Sequence, residues 1–549
     1  MTNAPATTPA TASGAVLLTL AAAQFLMTLD SSVMNVSIAT VASDLGTTVT
    51  GIQTAITLYT LVMAAFMITG GKLGQIYGRQ RTFAIGCVIY GIGSFVTSIS
   101  PNLTVLLVGW SILEGLGAAL ILPAIVALVA SNYAQSERPR AYGLVAAAGA
   151  IAVAAGPLIG GLLTTYASWR WVFAGEVIIV IAILFQARRM EAAPPDPSVG
   201  LDPIGTVLSA SGLGLVVFGI LRAGTWGFVQ PKAGGPEWAG LSPVVWLVLA
   251  GGVVLWAFLA WEDHRLRNGR SALFDPAMLD VPLLRSGLSC FSFQYLLQAG
   301  LFFTVPLYLS VALGLSAVAT GVRLLPLSVA LLLTAVGIPK FFPDASPRRV
   351  VRIGFLGLLG GLVSLAGALE LGAGPEIVSL PMLLAGLGIG ALASQLGSIT
   401  VSSVPDEQSA EVGGLQNTVT NLGASIGTAL AGAVLISALT TSFFSGIEDN
   451  PDVPPEVSET TEVRLASGVP FVADDALEDA LAEAGVDDET ADAIVDANAS
   501  ARLDGLESAL MLLAFLAVLA LFSTRGIPRT QPAPASEAGD ADDPVAVSA

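Results

Sequence analysis

Apolar runs long enough to cross a bilayer recur along almost the whole chain. An α-helix rises 1.5 Å per residue, so about 20 residues cover the roughly 30 Å hydrocarbon core. Runs of that kind fall near 15–40, 51–71, 82–99, 104–128, 140–164, 171–187, 203–222, 242–261, 286–311, 317–339, 350–370, 377–400, 409–438 and 505–523. They predict an all-α protein of fourteen transmembrane helices. The polar breaks between them carry the topology, because Lys and Arg in short loops collect on the cytoplasmic side. With the N-terminus inside, 17 of the 23 basic residues fall in cytoplasmic segments. The other six are Arg170, Arg222, Lys232, Arg323, Arg464 and Arg502. Dropping one span would invert every later loop and erase that asymmetry, so both termini are expected to be cytoplasmic.

The breaks also suggest an internal duplication. Between spans two and three lies the turn Gly71-Lys72-Leu73-Gly74-Gln75-Ile76-Tyr77-Gly78-Arg79-Gln80-Arg81, and between spans ten and eleven a looser counterpart, Gly337 to Lys340 with Arg348, Arg349 and Arg352. Six spans precede spans seven and eight, and six follow. Paired six-helix bundles with a central site are a common plan of secondary transporters. The expected organisation is a cytoplasmic tail (1–14), a first bundle (15–190) closed by Pro194-Pro195-Asp196-Pro197, a linker with two extra helices (191–270), a second bundle (271–525) and a cytoplasmic acidic tail (526–549).

Composition agrees with this plan and removes the alternatives. Of 549 residues, 54% are hydrophobic and 12% charged, against about 25% charged in soluble domains. Cys87 and Cys290 stand in separate apolar runs and His264 is the single histidine, so neither a disulfide framework nor a Cys or multi-His metal centre is expected. The net charge of −18 argues against nucleic acid as a partner. No phosphate-binding loop or nucleophile motif suggests an enzyme. Met1 to Gly14 lacks the basic residues of a cleaved signal, so the first run is expected to be a retained helix.

Four segments carry candidate chemistry. Leu29-Asp30-Ser31-Ser32-Val33-Met34-Asn35-Val36 puts a carboxylate inside span one, where it needs a polar partner, a wet cavity or a proton. Asp30 is either a proton or substrate site or a packing residue held by partners such as Asn35. The turn with Gly71, Gly74, Gly78, Arg79 and Arg81 lets the chain reverse tightly and anchors it at the cytoplasmic face. In span four, Trp110-Ser111-Ile112-Leu113-Glu114-Gly115 places Ser111 and Glu114 three apart, on one face of a regular helix. In span five, Gly156-Pro157-Leu158-Ile159-Gly160-Gly161 joins small residues to a helix-bending proline.

Together these segments resemble the fourteen-helix drug:proton antiporter, or multidrug efflux, branch of the major facilitator superfamily, over essentially all spans. The resemblance implies an inner-gate hinge at Gly71 to Arg81, an antiporter motif at Gly156 to Gly161, and efflux energised by a proton gradient with no bound cofactor. This chain departs from the family at Ala39, where a proline is usual, and at Gln75, where an aspartate is usual. Ser111 replaces a membrane-embedded arginine, so that residue's role does not transfer, and Glu114 replaces a glutamine. Glu176, after the interfacial Trp169-Arg170-Trp171, stands where asparagine is more common. Asp30, Glu114 and Glu176 are therefore the proton-coupling candidates. If they share a cavity, mutual repulsion keeps at least one protonated, and a cationic substrate could displace that proton.

Other polar residues within spans are candidates for the substrate pathway. Arg323, in Gly321-Val322-Arg323-Leu324-Leu325-Pro326, pairs with an acid, lines the path or snorkels to the interface. Gln416, Asn417 and Asn421, like Gln294 and Gln298, bind substrate or bond between helices. The expected partners are a small amphipathic or cationic molecule, protons and lipid, with the chain a monomer in the cell membrane. A nutrient importer, a dedicated exporter of one antibiotic or metabolite, and a receptor or scaffold are the competing readings; the last has no need of acids inside spans one, four and six.

The acidity itself lies outside the transport body. Residues 1 to 439 hold 19 basic and 19 acidic side chains, while the outer loop 440–502 holds 16 acids against Arg464 and Arg502. Its first half is Pro-rich; its second predicts two short amphipathic helices, 474–484 and 488–503, forming either a solvated cap or a lid that gathers cations.

Overall fold

In the computed structural model the described residues run from 14 to 530, apart from 134–137, 191–199, 233–234, 402, 405–408, 449, 451–452, 454–470, 472 and 484–485. The Pro194–Pro197 linker, most of both tails and the Pro-rich half of the acidic loop lie outside them. The apolar runs become helices α1 (Gly14–Asp44), α2 (Val49–Tyr77), α3 (Arg79–Ser98), α4 (103–132), α5 (Arg138–Tyr166), α6 (Arg170–Ala187), α7 (Pro203–Trp226), α8 (Pro243–Arg267) and α9 (Pro282–Leu307). Then come α10 (Ala317–Arg323), α11 (Leu325–Phe341), α12 (Pro347–Ala366), α13 (Ser379–Val401), α14 (Ser409–Glu448), α15 (Asp474–Glu483) and α16 (Asp488–Ser523). Among the described residues thirteen helices are long and apolar enough to cross a membrane, and α10 with α11 makes a fourteenth, bent by 42°.

Three expectations change. Span ten is broken at Leu324, because Pro326 has no N–H to donate back to Val322 and so opens a new helix. The acidic loop is shorter than 440–502, since α14 stays helical to Glu448. Residues 488–503 are not a separate amphipathic helix: Asp487 accepts the Thr490 N–H at 3.1 Å as an N-cap, and the helix runs unbroken into the last span.

The duplication is explicit in the packing. In the first bundle α1 packs on α5, α2 on α4, and α3 on α4 and α6. In the second, α9 packs on α14, α11 on α13, and α12 on α13 and α16, which is the same pattern. Between bundles α2 meets α14 and α5 meets α10 and α11, as a pseudo-twofold axis requires. The extra pair α7 and α8 pack on each other, and α7 lies against both α2 and α14, on one side of the seam.

One end of the molecule carries Arg79, Arg188, Arg265 and Arg348, and is called the basic end below; the other carries Asp44 and α15 and is the acidic end. At the acidic end Asp44 accepts the Trp169 indole N–H (2.9 Å) and pairs with Arg170, whose other nitrogen donates to Ser100 O (2.9 Å). Also at that end, Val453 and Phe471 from the acidic segment are buried in the core and Asp474 pairs with the buried Arg502. The helix α15 packs on α16 of the second bundle.

Candidate functional site

Asp30 from α1, Glu114 from α4 and Glu176 from α6 converge in the first bundle, with one carboxylate oxygen of each within 4.8 Å of the others. All three are buried. The Trp110 indole N–H lies 2.9 and 3.0 Å from the two Asp30 oxygens. Tyr90 and Ser94 hydroxyls each donate to Glu176 Oε2 at 3.1 Å, and Thr97 Oγ1 lies 2.9 Å from Glu114 Oε1. The Tyr59 ring stacks on Trp110 (centroids 4.9 Å apart, planes 9° apart). Among the described residues Glu114 Oε2 and Glu176 Oε1 have no hydrogen-bond partner. Among the described residues no Lys, Arg or His faces the triad. Three carboxyl groups so placed can be neutralised only by protons or another small cation.

The local fold explains the convergence. Residues Leu107–Glu114 form a π-helical stretch, a wider turn often found at functional sites. It separates residues that a regular helix would align: Trp110 reaches Asp30 on α1, Ser111 donates to Ala55 O on α2 (2.8 Å) and Glu114 meets Thr97 on α3. Ser111 therefore does not share a face with Glu114, contrary to the i, i+3 expectation. Asn35 is not the partner of Asp30 either; its amide donates to Ser31 O on its own helix. The partners that sequence reasoning missed, Tyr90, Ser94 and Thr97, are spaced by four and three along α3. That stripe of polar side chains at helical spacing was the available signal.

The gate candidates line a different space. At the basic end a small cavity of about 50 Å³ is lined by Gly71, Gly74, Gln75, Arg79, Pro123 and Gly414, with Leu273 and Phe274 lining it from the loop after α8. Gly78, with φ 95°, breaks α2 from α3 in a conformation that a side chain would strain. Arg79 donates to Ala127 O at 3.0 Å, while Arg81 is exposed. In α5, Gly156 and Gly160 face Ser32 and Val33 of α1, whereas Gly161 faces Ala317 across the seam and Gly321 faces the carbonyl of Pro157. Thr165 Oγ1 accepts the Val318 N–H at 3.0 Å there. On the other side of the seam Gln53 donates to Thr428 O (3.1 Å) and Ala429 O (3.3 Å), and Ser425 to Thr57 O (2.9 Å).

The remaining pathway candidates are not part of the triad. Gln294 is buried with Oε1 unpartnered, and Gln298, Gln416, Asn417 and Asn421 are half-buried. Asn421 donates to Asn417 O within α14. Arg323 sits at the bend of span ten and makes no ion pair among the described residues.

Two like-folded bundles around a seam, each six helices, with extra helices at the side, define a transporter. The family description Major Facilitator Superfamily matches residues 20–428, and the chain belongs to that superfamily as a multi-pass protein of the cytoplasmic membrane. It is 28% identical over 434 residues to the tetracenomycin C resistance and export protein of Streptomyces glaucescens, covering 77% of this chain and 76% of that one. It is 28% identical over 436 residues to a puromycin resistance protein of Streptomyces alboniger, covering 77% and 82%. Among solved structures it is similar to a bacterial homologue of the human lysosomal transporter Spinster, with a TM-score of 0.59 over 95% of this chain and 98% of that one, at 14% identity.

Proposed function

We propose that this protein exports small amphipathic molecules from the cell, driven by protons that pass through the Asp30, Glu114 and Glu176 triad. The observation that carries the reading is the triad itself: three buried carboxyl groups within 4.8 Å, with no basic side chain against them among the described residues. At an effective dielectric of about 20, each ionised pair at that separation repels by about 3.5 kcal/mol. Three such pairs would cost about 10 kcal/mol, comparable to the whole folding stability of a typical domain. Exchange of protons at the triad is thus coupled to the packing of α1, α3, α4 and α6. Relatives named for tetracenomycin C and puromycin resistance support export of antibiotics as the task.

The triad is sealed inside one bundle, whereas Gln53, Gly161, Gly321 and the basic-end cavity lie along the seam between bundles. Proton and substrate therefore use different places, and coupling runs through helix movement rather than through a cationic drug displacing a proton. Relatives each named for one antibiotic favour a dedicated exporter as the second reading. The test is drug efflux from inverted vesicles or cells with and without an imposed proton gradient, for the wild type and for Asp30→Asn, Glu114→Gln and Glu176→Gln. Gradient-driven export should fall at least tenfold in each variant while downhill exchange persists; full gradient-driven export in all three would overturn the proton assignment.

A further inference from the structure

A second buried pair of acids lies at the basic end, between the extra helices and the gate cavity. Asp202 immediately precedes α7 and Glu262 lies near the end of α8; both are fully buried. Asp202 Oδ2 accepts the Trp261 indole N–H at 2.9 Å, and Oδ1 stands 3.3 Å from an Arg265 nitrogen. Glu262 Oε2 accepts the Leu273 backbone N–H at 2.6 Å, and its other oxygen has no hydrogen-bond partner among the described residues. A methyl group added at Gly205 would touch that oxygen and Asp202 Oδ2 together, so the two face the same small volume. Two ionised carboxylates are acceptors only, and the single guanidinium beside them balances one charge. A proton between them supplies the missing donor and cancels the other.

The pair is tied to the gate by the chain that follows. Leu273, held through its N–H by Glu262, and Phe274 are buried and form one wall of the cavity that Gly71, Gly74 and Arg79 line. Phe274 packs on Phe258 of α8 (ring centroids 5.9 Å apart). Arg265 Nε donates to Ser271 O (2.9 Å), and the Ser271 hydroxyl bonds to both the N–H and the carbonyl of Gly200 (2.9 and 3.0 Å). Thr206 of α7 meets Thr69 of α2 at 3.1 Å, so the same junction touches the helix that leads into the gate turn.

We infer that Asp202 and Glu262 form a proton-dependent latch in which Glu262 is the positioning residue that seats Leu273 and Phe274 over the basic-end mouth. When the shared proton leaves, two like charges share one buried volume, Glu262 moves off Leu273, and the wall opens. The other charged groups around it do not substitute. Arg265 is already on Asp202, Asp263 pairs with Arg267 at the surface, and His264 is exposed and bonded to Asn268. Lys72 of α2 lines the same cavity. The extra helices are then part of the gate.

The inference rests on the transporter reading only for its purpose, and its test needs neither substrate nor gradient. In purified full-length protein, a reporter Ala127→Cys in the cavity wall is labelled with a maleimide from pH 6 to 8.5, with rates corrected for thiolate fraction; Cys87 and Cys290 are buried. The corrected rate should rise at least threefold toward pH 8.5. Glu262→Gln, whose amide both accepts from Leu273 and donates to Asp202, should hold it low and flat, and Asp202→Asn should flatten it too. Glu262→Ala should give fast labelling at every pH. A corrected profile that is flat without these substitutions, or unchanged by both Glu262→Gln and Asp202→Asn, overturns the latch and leaves the triad untouched. Loss of gradient coupling at the triad, conversely, does not bear on the latch.

Discussion

The seam between α5 and α10 admits a sharp test with a single methyl group. A Cβ at Gly161 would stand 2.5 Å from the Ala317 carbonyl oxygen and 2.8 Å from the Val318 Cα. Both are main-chain atoms, so no rotamer relieves the overlap and the bundles must part by several tenths of an ångström at the acidic end. Overpacking of this kind costs about 1–3 kcal/mol. It falls on the arrangement with the acidic end closed, because the two helices separate when that end opens. With tenfold per 1.4 kcal/mol, Gly161→Ala should shift the balance toward the open acidic end by roughly 5- to 150-fold. The helix itself gains, since Ala is favoured over Gly by about 1 kcal/mol within a helix, so expression and folding should persist. Spin labels at Tyr166 and Leu371, exposed at that end on opposite bundles, report the change as a longer distance population in electron–electron resonance. An unchanged distance distribution together with an unchanged transport rate would refute the argument.

Other predictions bear on separate contacts. Gln53→Ala removes two hydrogen bonds across the other side of the seam, worth about 1–2 kcal/mol together; the same labels should show a shift that adds to that of Gly161→Ala, because the sites share no partner. Trp110→Phe removes the indole N–H from both Asp30 oxygens, a loss of about 1.5–3 kcal/mol if Asp30 is charged. Gradient-driven export should fall about tenfold with the variant still folded by circular dichroism, and wild-type coupling would disprove a role for that bond. Phe471→Ala vacates a buried site at about 3–5 kcal/mol, so amide exchange over residues 488–500 should accelerate; unaltered exchange would mean that the acidic segment is not docked through Phe471.

The sequence displays what depends on local chemistry and hides what depends on distance. Fourteen spans and the duplication are legible because each helix must be apolar over a bilayer's width, and because the turn at Gly71 has a counterpart at Gly337. The bend at Leu324 is foreseeable in kind from Pro326, and the N-cap at Asp487 from its acid before a helical run. Convergence of Asp30, Glu114 and Glu176 is not legible, since they are 84 and 62 residues apart along the chain and nothing local sets their register. The π-helical stretch at Leu107–Glu114 is the other blind spot. It packs against α3 and α2, and it turns Ser111 toward α2 where simple periodicity places it beside Glu114. Asp202 and Glu262 are not legible as a pair, because each looks like an ordinary surface acid near a helix end.

Helix α16 joins the two faces of the membrane mechanically. Its 36 residues make a rod of ~54 Å, with Asp474 clamped to Arg502 near the acidic end. Beyond its far end Arg352 meets Thr524 (2.9 Å), and Arg348 meets the carbonyls of Arg525 and Ile527 (both 2.6 Å). Arg502 stands 22 residues before Thr524, so the helix is held at two points ~33 Å apart. The acidic segment and the start of α12 are thereby tied to one continuous helix.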